Sequence, residues 1–418
     1  MNPKRSAPQP ILDNLEAIGD PRKQKRFDAS QFFAGIPVPG ADTDYEYTIK
    51  FLAGYDGSKA TFNSYRRDIE RLLQWAWRIE NTSVLKLNRD DISAFIKFCS
   101  DPPKAWMGTV NVARFKNKDG ERQPNPRWRP FTVSQSKDRN KARLDLDKNY
   151  YSMSSESVKA LLAILKSFYD YLIDEQLVDA NPVARIRQKS KFIRKQQTSK
   201  TVYRLSSIQW DYVIESAHHM ADEDPDNHER TLFIMNCLYG MYLRISELVA
   251  DERSIPLMNS FQKDHDKNWW FHVTGKGNKD RKITVSDEML EALKRYRKFR
   301  GLSPALPSLG DTEPLIPKHL GKGPMRSTRH LREIVQSCFD QAYTRMVKDG
   351  LAEDATELRS ATVHWLRHTG ISEDIKERPR EHVRDDAGHV SAETTERYID
   401  VEDRERHLSG KNKSIKEI

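Results

Sequence analysis

His364-Trp365-Leu366-Arg367-His368 sets two imidazoles and a guanidinium close together, and it is one of four motifs with cationic side chains in the second half of this 418-residue chain. The other three are Leu243-Arg244-Ile245-Ser246-Glu247-Leu248, Gly275-Lys276-Gly277-Asn278-Lys279-Asp280-Arg281, and the segment from Gly388-His389 to Tyr398. A tyrosine surrounded by such cations combines a nucleophile with groups that neutralise phosphate charge in a transition state. The four motifs therefore indicate phosphodiester chemistry that needs no metal.

Arg244 and Arg367 are the arginines predicted to hold the non-bridging oxygens of a phosphate. Guanidinium is planar, permanently charged and bidentate toward phosphate. Apolar residues surround Arg244, so its charge needs a partner, and Glu247 lies three residues further along the same predicted helical face. We expect Glu247 to orient Arg244.

Two histidines join these arginines. His364 and Arg367 stand at positions i and i+3 of a predicted helix, so they share a face. We expect His364 to accept the tyrosine proton or to donate a hydrogen bond to phosphate. His389 follows Gly388, which we interpret as the start of a helix where a histidine can approach a phosphate closely. His368 is interpreted either as a packing residue or as a support for the residues that contact the phosphate.

Tyr398 is the predicted nucleophile. A phenol with an ordinary pKa of about 10 is mostly protonated at neutral pH, so it needs a proton acceptor and nearby cations. Attack would leave a phosphotyrosine bond and a free 5′-hydroxyl, so religation needs no ATP, and we expect neither cofactor nor metal. Lys276, between two glycines at a hairpin tip, is predicted to protonate the departing 5′-oxygen, and Lys279 on the same turn is the alternative.

Composition favours a polyanionic partner. The formal net charge is +9 and the isoelectric point is about 9.2, and basic chains attract nucleic acid. The mean hydropathy is −0.78, and we find neither a long apolar run nor a secretory leader. The three cysteines show no metal-ligand spacing. We expect a soluble, cytoplasmic, DNA-associated bacterial protein with no membrane partner.

Periodicity predicts a mainly α fold. Apolar residues recur at helical spacing around residues 65–76, 89–99 and 155–175, and again over 229–252, 286–299, 326–349 and 357–376. Alternating Trp269, Phe271 and Val273 face alternating Ile283 and Val285 across turn residues, which predicts a two-stranded hairpin.

Five segments follow from composition. We expect a mostly flexible basic arm over 1–40, with at most one short helix, a helical DNA-binding domain over 41–184 with an insertion at 101–150, a basic linker over 185–200, a second domain over 201–405 and a polar tail over 406–418. In the insertion, the tryptophans are predicted to pack on the domain and the cations to contact a sugar-phosphate backbone. The residues expected to contact DNA elsewhere are Arg185, Arg187, Lys189, Lys191, Arg194, Lys195, Lys279 and Arg281.

Together the four motifs resemble the tyrosine recombinase (phage integrase) family, which includes the Xer-type recombinases and Cre. The resemblance covers about residues 41–405 and is strongest over 230–400. It implies a SAM-like core-binding domain and a mainly helical catalytic domain with a small sheet, closing on DNA as a C-shaped clamp. Around nucleophile Tyr398 it implies Arg244, Lys276, His364, Arg367 and His389, with Glu247 as acidic support. Four protomers would act on two DNA sites.

The chain departs from the family pattern at Ala387, where leucine is common, and at Asp385-Asp386 just before it. These acids either weaken phosphate binding or point to solvent. The 101–150 insertion is not a general family feature.

The leading functional hypothesis is a site-specific recombinase or integrase of a mobile element, which joins DNA through a 3′-phosphotyrosine. Alternatives are an Xer-type resolvase of chromosome or plasmid dimers and a DNA-binding protein without catalysis. Two further alternatives are less favoured. A metal-dependent nuclease needs a cluster of acidic ligands, which the sequence does not show. A type IB topoisomerase would lack site preference. Accessory or co-recombinase proteins are further candidate partners.

Overall fold

A computed structural model describes residues 7–19, 38–55, 59–118, 121–133, 151–184, 186, 202–275, 280–303, 305–389, 395 and 410–411. The chain divides into two compact units, Met1–Gln197 and Thr198–Ile418. Several sequence predictions fall outside the described residues: the nucleophile Tyr398, both hairpin lysines Lys276 and Lys279, and the six linker cations.

The described residues of unit 1 form five helices: α1 (Leu15–Gly19), α2 (Ala41–Ala53), α3 (Lys59–Trp75), α4 (Arg89–Ser100) and α5 (Ser155–Asp174). A π-helical turn, Ala76–Glu80, extends α3. Asn88 and Asp91 form a capping box that starts α4, and Ser154 caps α5, so local side-chain chemistry fixes both starts. The predicted helices at 89–99 and 155–175 are confirmed within one residue.

The N-terminal segment is part of the core of unit 1. Ile11 and Leu12 are fully buried, and their backbone N–H groups donate to Glu70 Oε1 on α3 at 2.5 and 3.1 Å. The prediction of a mostly flexible arm over 1–40 is therefore wrong for residues 7–19, although α1 is the short helix that this prediction included. Burial of these two aliphatic side chains offsets part of the conformational entropy that is lost when the segment is ordered.

The insertion contributes small strands to unit 1. β1 (Met107–Gly108) pairs in parallel with β4 (Phe131–Thr132), and β2 (Phe115–Lys118) pairs antiparallel with β3 (Glu121–Pro124). Trp106 and Trp128 are buried, and Trp106 meets Phe98 edge to face with ring centroids 5.0 Å apart. The prediction that the tryptophans pack on the domain is confirmed.

Unit 2 surrounds a second core with seven helices among the described residues: α6 (Ser207–Glu223), α7 (Pro225–Gly240), α8 (Asp287–Phe299), α9 (Thr328–Lys348), α10 (Ala352–Ala355), α11 (Val363–Glu377) and α12 (Arg380–Ala387). Its sheet has the antiparallel order β5 (Phe261–Lys263), β6 (Trp269–Thr274), β7 (Asp280–Thr284). The predicted hairpin is confirmed as β6–β7, with Phe271 opposite Ile283, but β5 adds a strand that sequence did not show.

Two predicted helices of unit 2 have different bounds. The helix predicted over 229–252 ends at Gly240, because Tyr242 adopts a left-handed φ of 49° that takes the chain out of the helix. The helix predicted over 357–376 begins at Val363, after a 3-10 turn at Thr356–Arg359. Within the described part of the chain, no helix has the length and apolar character needed to cross a membrane.

Candidate active site

Arg244 stands at a break between helices. It is in extended conformation just before a 3-10 turn, Ile245–Glu247, and not on the helix that sequence predicted. Glu247 Oε2 accepts the Arg244 backbone N–H at 2.8 Å, and Oε1 accepts Nη1 at 3.0 Å. The Arg244 side chain is 29% exposed, so it is held by Glu247 and still reaches solvent. The predicted contact between these two residues is present, although on a turn and not a helical face.

Glu247 also holds a second arginine. Arg281 Nη1 and Nη2 donate to the two Glu247 oxygens at 2.8 and 2.9 Å, and Arg281 Nε donates to the Asp386 carbonyl at 3.1 Å. Burial opposes ionisation of Glu247, but hydrogen bonds and charge from Arg281 and Arg244 outweigh it and hold its pKa below the ordinary value. The Arg281 side chain is only 11% exposed. Glu247 and the Asp386 carbonyl bind this guanidinium here, and the contact of Arg281 with DNA stays a prediction.

Arg367 is buried on α11 and ties two backbone segments together. Its Nη1 donates to the Tyr242 carbonyl, and its Nη2 donates to the Ala387 carbonyl at 2.5 Å. Nη2 also lies 3.3 Å from His389 Nε2. This guanidinium thus joins the loop that leads to Arg244 with the end of α12 that leads to His389.

The two predicted histidines face these arginines. Burial lowers the pKa of His364, and the charges of Arg367, Arg332 and Arg244 lower it further. Burial, followed by Arg367 and Arg244, lowers the pKa of His389 to about 4. His389 Nδ1 lies 3.0 Å from Thr395 Oγ1. Both imidazoles are therefore neutral at pH 7, so each can act as a proton acceptor.

Gly388 ends a helix and does not start one, which corrects the sequence interpretation. It caps the C-terminus of α12 with φ 64°, a left-handed conformation that favours glycine. A Cβ built there would lie 2.8 Å from Arg281 Cδ. The glycine therefore allows the α12 terminus to approach Arg281 closely.

The two acids before Ala387 have different surroundings. Asp385 is exposed and pairs with Arg384, whereas Asp386 is buried, accepts from Arg378 Nη2 at 2.6 Å and accepts from the Thr284 N–H at 3.2 Å. Arg378 Nη1 also donates to the Tyr242 hydroxyl at 3.0 Å. Asp386 therefore joins α12 to β7 and, through Arg378, to the Tyr242 loop.

Sequence reasoning missed three residues of this support: Tyr242, Asp374 and Arg378. Tyr242 donates to Asp374, which in turn accepts from Arg378 Nη1 at 2.9 Å. The spacing of Asp374 and Arg378 at i and i+4 is a usual signal for an ion pair. Nothing in the sequence links that pair to Tyr242, which lies 132 residues before Asp374.

The structure thus brings together Arg244, Arg367, His364 and His389, with Glu247 and Arg281 behind them. No group of histidine, cysteine or acidic side chains able to hold a metal ion is found among the described residues. Fold and site together define a mainly helical protein with a cationic centre of the kind that binds a phosphate.

Comparisons with known proteins give the family. Residues 211–405 match the model of the phage integrase family. The XerC tyrosine recombinase of Chlorobaculum parvum is 26% identical over 263 residues, covering 59% of this chain and 69% of the relative. The XerD tyrosine recombinase of Rickettsia conorii is 25% identical over 150 residues, covering 36% of this chain and 46% of the relative.

Two solved structures share the fold. XerH site-specific recombinase in a post-cleavage complex aligns with a TM-score of 0.55 at 13% identity, over 97% of this chain and 99% of that one. The Tn1549 transposon integrase aligns with a TM-score of 0.50 at 14% identity, over 89% and 98%. Residues 211–405 are therefore a phage integrase domain, and the chain is a tyrosine site-specific recombinase.

Proposed function

We propose that the chain cuts and rejoins DNA through a covalent 3′-phosphotyrosine formed by Tyr398. The observation that carries the proposal is the convergence of two fixed arginines with two neutral histidines in unit 2. Preorganised cations stabilise the charge that develops on a phosphate in its transition state, and one such donor contributes about 3 kcal/mol. We therefore assign Arg244 and Arg367 to the non-bridging oxygens.

The proton movements follow from the same groups. His364 or His389 accepts the phenolic proton as the Tyr398 oxygen attacks phosphorus, and the P–O5′ bond breaks. Lys276 donates a proton to the departing 5′-oxygen, with Lys279 as the alternative. The phosphotyrosine bond retains the energy of the broken phosphodiester, so a 5′-hydroxyl can reverse the reaction without ATP.

Covalent trapping tests this chemistry. The protein is incubated in EDTA with a nicked suicide duplex carrying a candidate recombination site, and products are separated on a denaturing gel. We expect a protein–DNA adduct with the unaltered protein and none with Tyr398→Phe, which retains the ring and loses only the nucleophile. An adduct that persists in Tyr398→Phe would overturn the assignment.

DNA is the proposed partner, and four protomers the proposed assembly. The net charge of +9 favours a polyanion, and the XerH structure is described as bound to its palindromic difH substrate. Complete exchange between two duplexes breaks four strands, and each break consumes one tyrosine. We propose that unit 1 and the linker cations Arg185, Arg187, Lys189, Lys191, Arg194 and Lys195 supply sequence-independent backbone contacts.

A mobile-element role is our proposal within the family. It is favoured by the insertion, whose strands β1–β4 elaborate unit 1, and by the composition of residues 1–40. The Xer relatives favour the alternative of dimer resolution. Recombination of the joined ends of a circular element with an unrelated target would support the first role, whereas resolution restricted to two direct repeats of one chromosomal site would support the second.

A further inference from the structure

We propose that an arginine-lined cleft in unit 1 binds phosphodiester groups of duplex DNA. This inference rests on the proposed function, in which the chain acts on DNA. The cleft has a volume of about 620 Å³ and is formed by three separate segments: the N-terminal residues Asp13–Asn14, helix α3 and the insertion. Six arginines line it: Arg66, Arg67, Arg71, Arg114, Arg122 and Arg129.

Carboxylates neutralise only part of this charge. Asp13 holds Arg122 through two bonds of 2.5 and 2.7 Å, Asp68 holds both Arg67 and Arg71, and Glu70 holds Arg114. Within the described part of unit 1, six guanidinium groups thus share three carboxylates, which leaves three positive charges in excess. A cleft with such an excess attracts anions.

Arg66 and Arg129 are the arginines whose described partners are neutral. Arg66 donates to the Asp13 carbonyl at 2.7 Å and to Asn63 Oδ1 at 2.8 Å, and Arg129 donates to the Pro126 and Trp128 carbonyls at 2.7 and 2.6 Å. Arg66 Nε is buried without an acceptor among the described residues. Burial and the charge of Arg122 outweigh the opposing charge of Asp13 and lower the pKa of Arg66 to about 10. An anion in the cleft would relieve both costs.

The aromatic rings of the cleft indicate a backbone contact and not base recognition. Arg114 lies over the Trp128 ring at 4.6 Å from its centroid, and Arg122 lies over the Phe115 ring at 5.5 Å. Nucleic-acid bases bind by stacking on open aromatic faces. Here guanidinium groups lie over those faces, so the cleft presents charge to the phosphates, which are the usual target of arginine in DNA complexes.

Salt dependence of DNA binding tests the cleft. Affinity of the full chain for a duplex is measured by fluorescence anisotropy across a salt series, for the unaltered protein and for a variant with Arg66→Gln and Arg129→Gln. Each lost phosphate contact reduces the slope of log K against log salt by about 0.9, so we expect a reduction of about 1.8. Between 50 and 200 mM salt, the factor by which DNA affinity falls would then be about twelve times smaller for the variant than for the unaltered protein.

Two controls separate this effect from general charge and from unfolding. Lys50→Gln removes an exposed cation from the same unit, where Lys50 pairs with Glu46 on α2, and should leave the slope unchanged. Arg66→Lys with Arg129→Lys keeps both charges and should retain most of the slope. Thermal melts report whether each variant is folded. If the double glutamine variant is unfolded, the double lysine variant is the one that is compared with the unaltered protein.

The outcomes are distinct. If the unaltered protein forms the Tyr398 adduct but the glutamine pair keeps the full slope, the cleft inference fails while the proposed function stands. If Lys50→Gln lowers the slope equally, the effect is general charge and the inference also fails. Inorganic phosphate could raise the melting temperature of the unaltered protein and not that of the double glutamine variant, while the two proteins have the same salt slope. In that case the cleft is a free-anion site and the DNA assignment is overturned. If no duplex binds any form, the proposed function itself fails.

Discussion

At the scale of single residues, the site depends on Glu247, a buried carboxylate shared by Arg244 and Arg281. One carboxylate with two guanidinium partners holds Arg244 in place and links it to Arg281 on strand β7. Loss of that charge leaves two partly buried cations without their counter-ion.

Glu247→Gln is expected to lower the free energy of unfolding by about 3 kcal/mol, because removing one member of a buried ion pair leaves the others uncompensated. Urea denaturation measures the change. Glu291→Gln is the matched control, since Glu291 pairs with Lys294 at the surface and is 71% exposed. It should cost under about 0.5 kcal/mol. Equal effects of the two substitutions would contradict the role given to Glu247.

His389 gives the site a dependence on pH. Its pKa of about 4 lies below the ordinary value of 6.5, so in the window from 6.5 down to 4 the unfolded chain binds a proton that the folded chain does not. Stability should therefore fall as the pH drops through this window, by about 1–3 kcal/mol from this residue. Urea denaturation at pH 7 and pH 4.5 should show a smaller drop for His389→Gln than for a control, His265→Gln, on the exposed β5–β6 turn. An unchanged drop would mean that His389 is not held neutral.

Gly388→Ala tests the close approach of α12 to Arg281. The substitution meets a left-handed φ of 64° and an Arg281 side chain 2.8 Å from the new Cβ. Gly350→Ala is the control, because Gly350 has φ 84° and no atom within 4 Å of a Cβ. Backbone strain alone lowers the free energy of unfolding by about 1–3 kcal/mol. Gly350→Ala measures this strain, and Gly388→Ala should lower the free energy of unfolding further because of the added contact with Arg281. Equal melting temperatures of the two variants would show that Arg281 moves aside at no cost.

At the scale of elements, α11 carries His364 and Arg367 and is packed tightly on α7. A Cβ at Gly370 would clash with the Tyr239 carbonyl at the end of α7 and lie 3.2 Å from Tyr242 Cδ1. The helix therefore needs glycine at this point, although alanine is the better helix former by about 1 kcal/mol.

Gly370→Ala is expected to destabilise unit 2 by about 1–3 kcal/mol, the usual range for overpacking a close contact. Gly240→Ala serves as the control, since nothing lies within 4 Å of a Cβ there. Thermal denaturation compares the two. A stabilised Gly370→Ala variant would show that helix propensity outweighs the contact, and that α11 does not depend on its approach to α7.

Much of the element structure could be predicted from sequence because its causes are local. Apolar periodicity gave α4 and α5, whose starts the structure shows capped by Asn88 and Ser154, and alternation across a turn gave β6–β7. The end of α7 could not be predicted, since the left-handed Tyr242 depends on partners far along the chain. The pairing of Arg281 with Glu247, 34 residues apart, is likewise tertiary, so the sequence motifs did not reveal it.

At the scale of the whole molecule, two units with separate cores carry two cationic features. Unit 2 holds the arginines and histidines of the candidate active site, and unit 1 holds the arginine-lined cleft. A tyrosine recombinase needs to react with one phosphate and also to bind a longer stretch of the DNA backbone. In the proposed function, phosphate contacts provide position and affinity, and Tyr398 forms the covalent bond.

The central claim is that Tyr398 becomes covalently attached to DNA, and mass spectrometry of the trapped adduct tests it most directly. Trypsin cuts at Arg384, Arg397 and Arg404, so Tyr398 falls in peptide 398–404, or in 385–404 if the modification blocks cleavage, and it is the only tyrosine in either. We predict a nucleotide remnant on that peptide, in protein prepared and reacted in EDTA. A remnant on a peptide that contains another tyrosine, such as Tyr239 or Tyr242, would contradict the account.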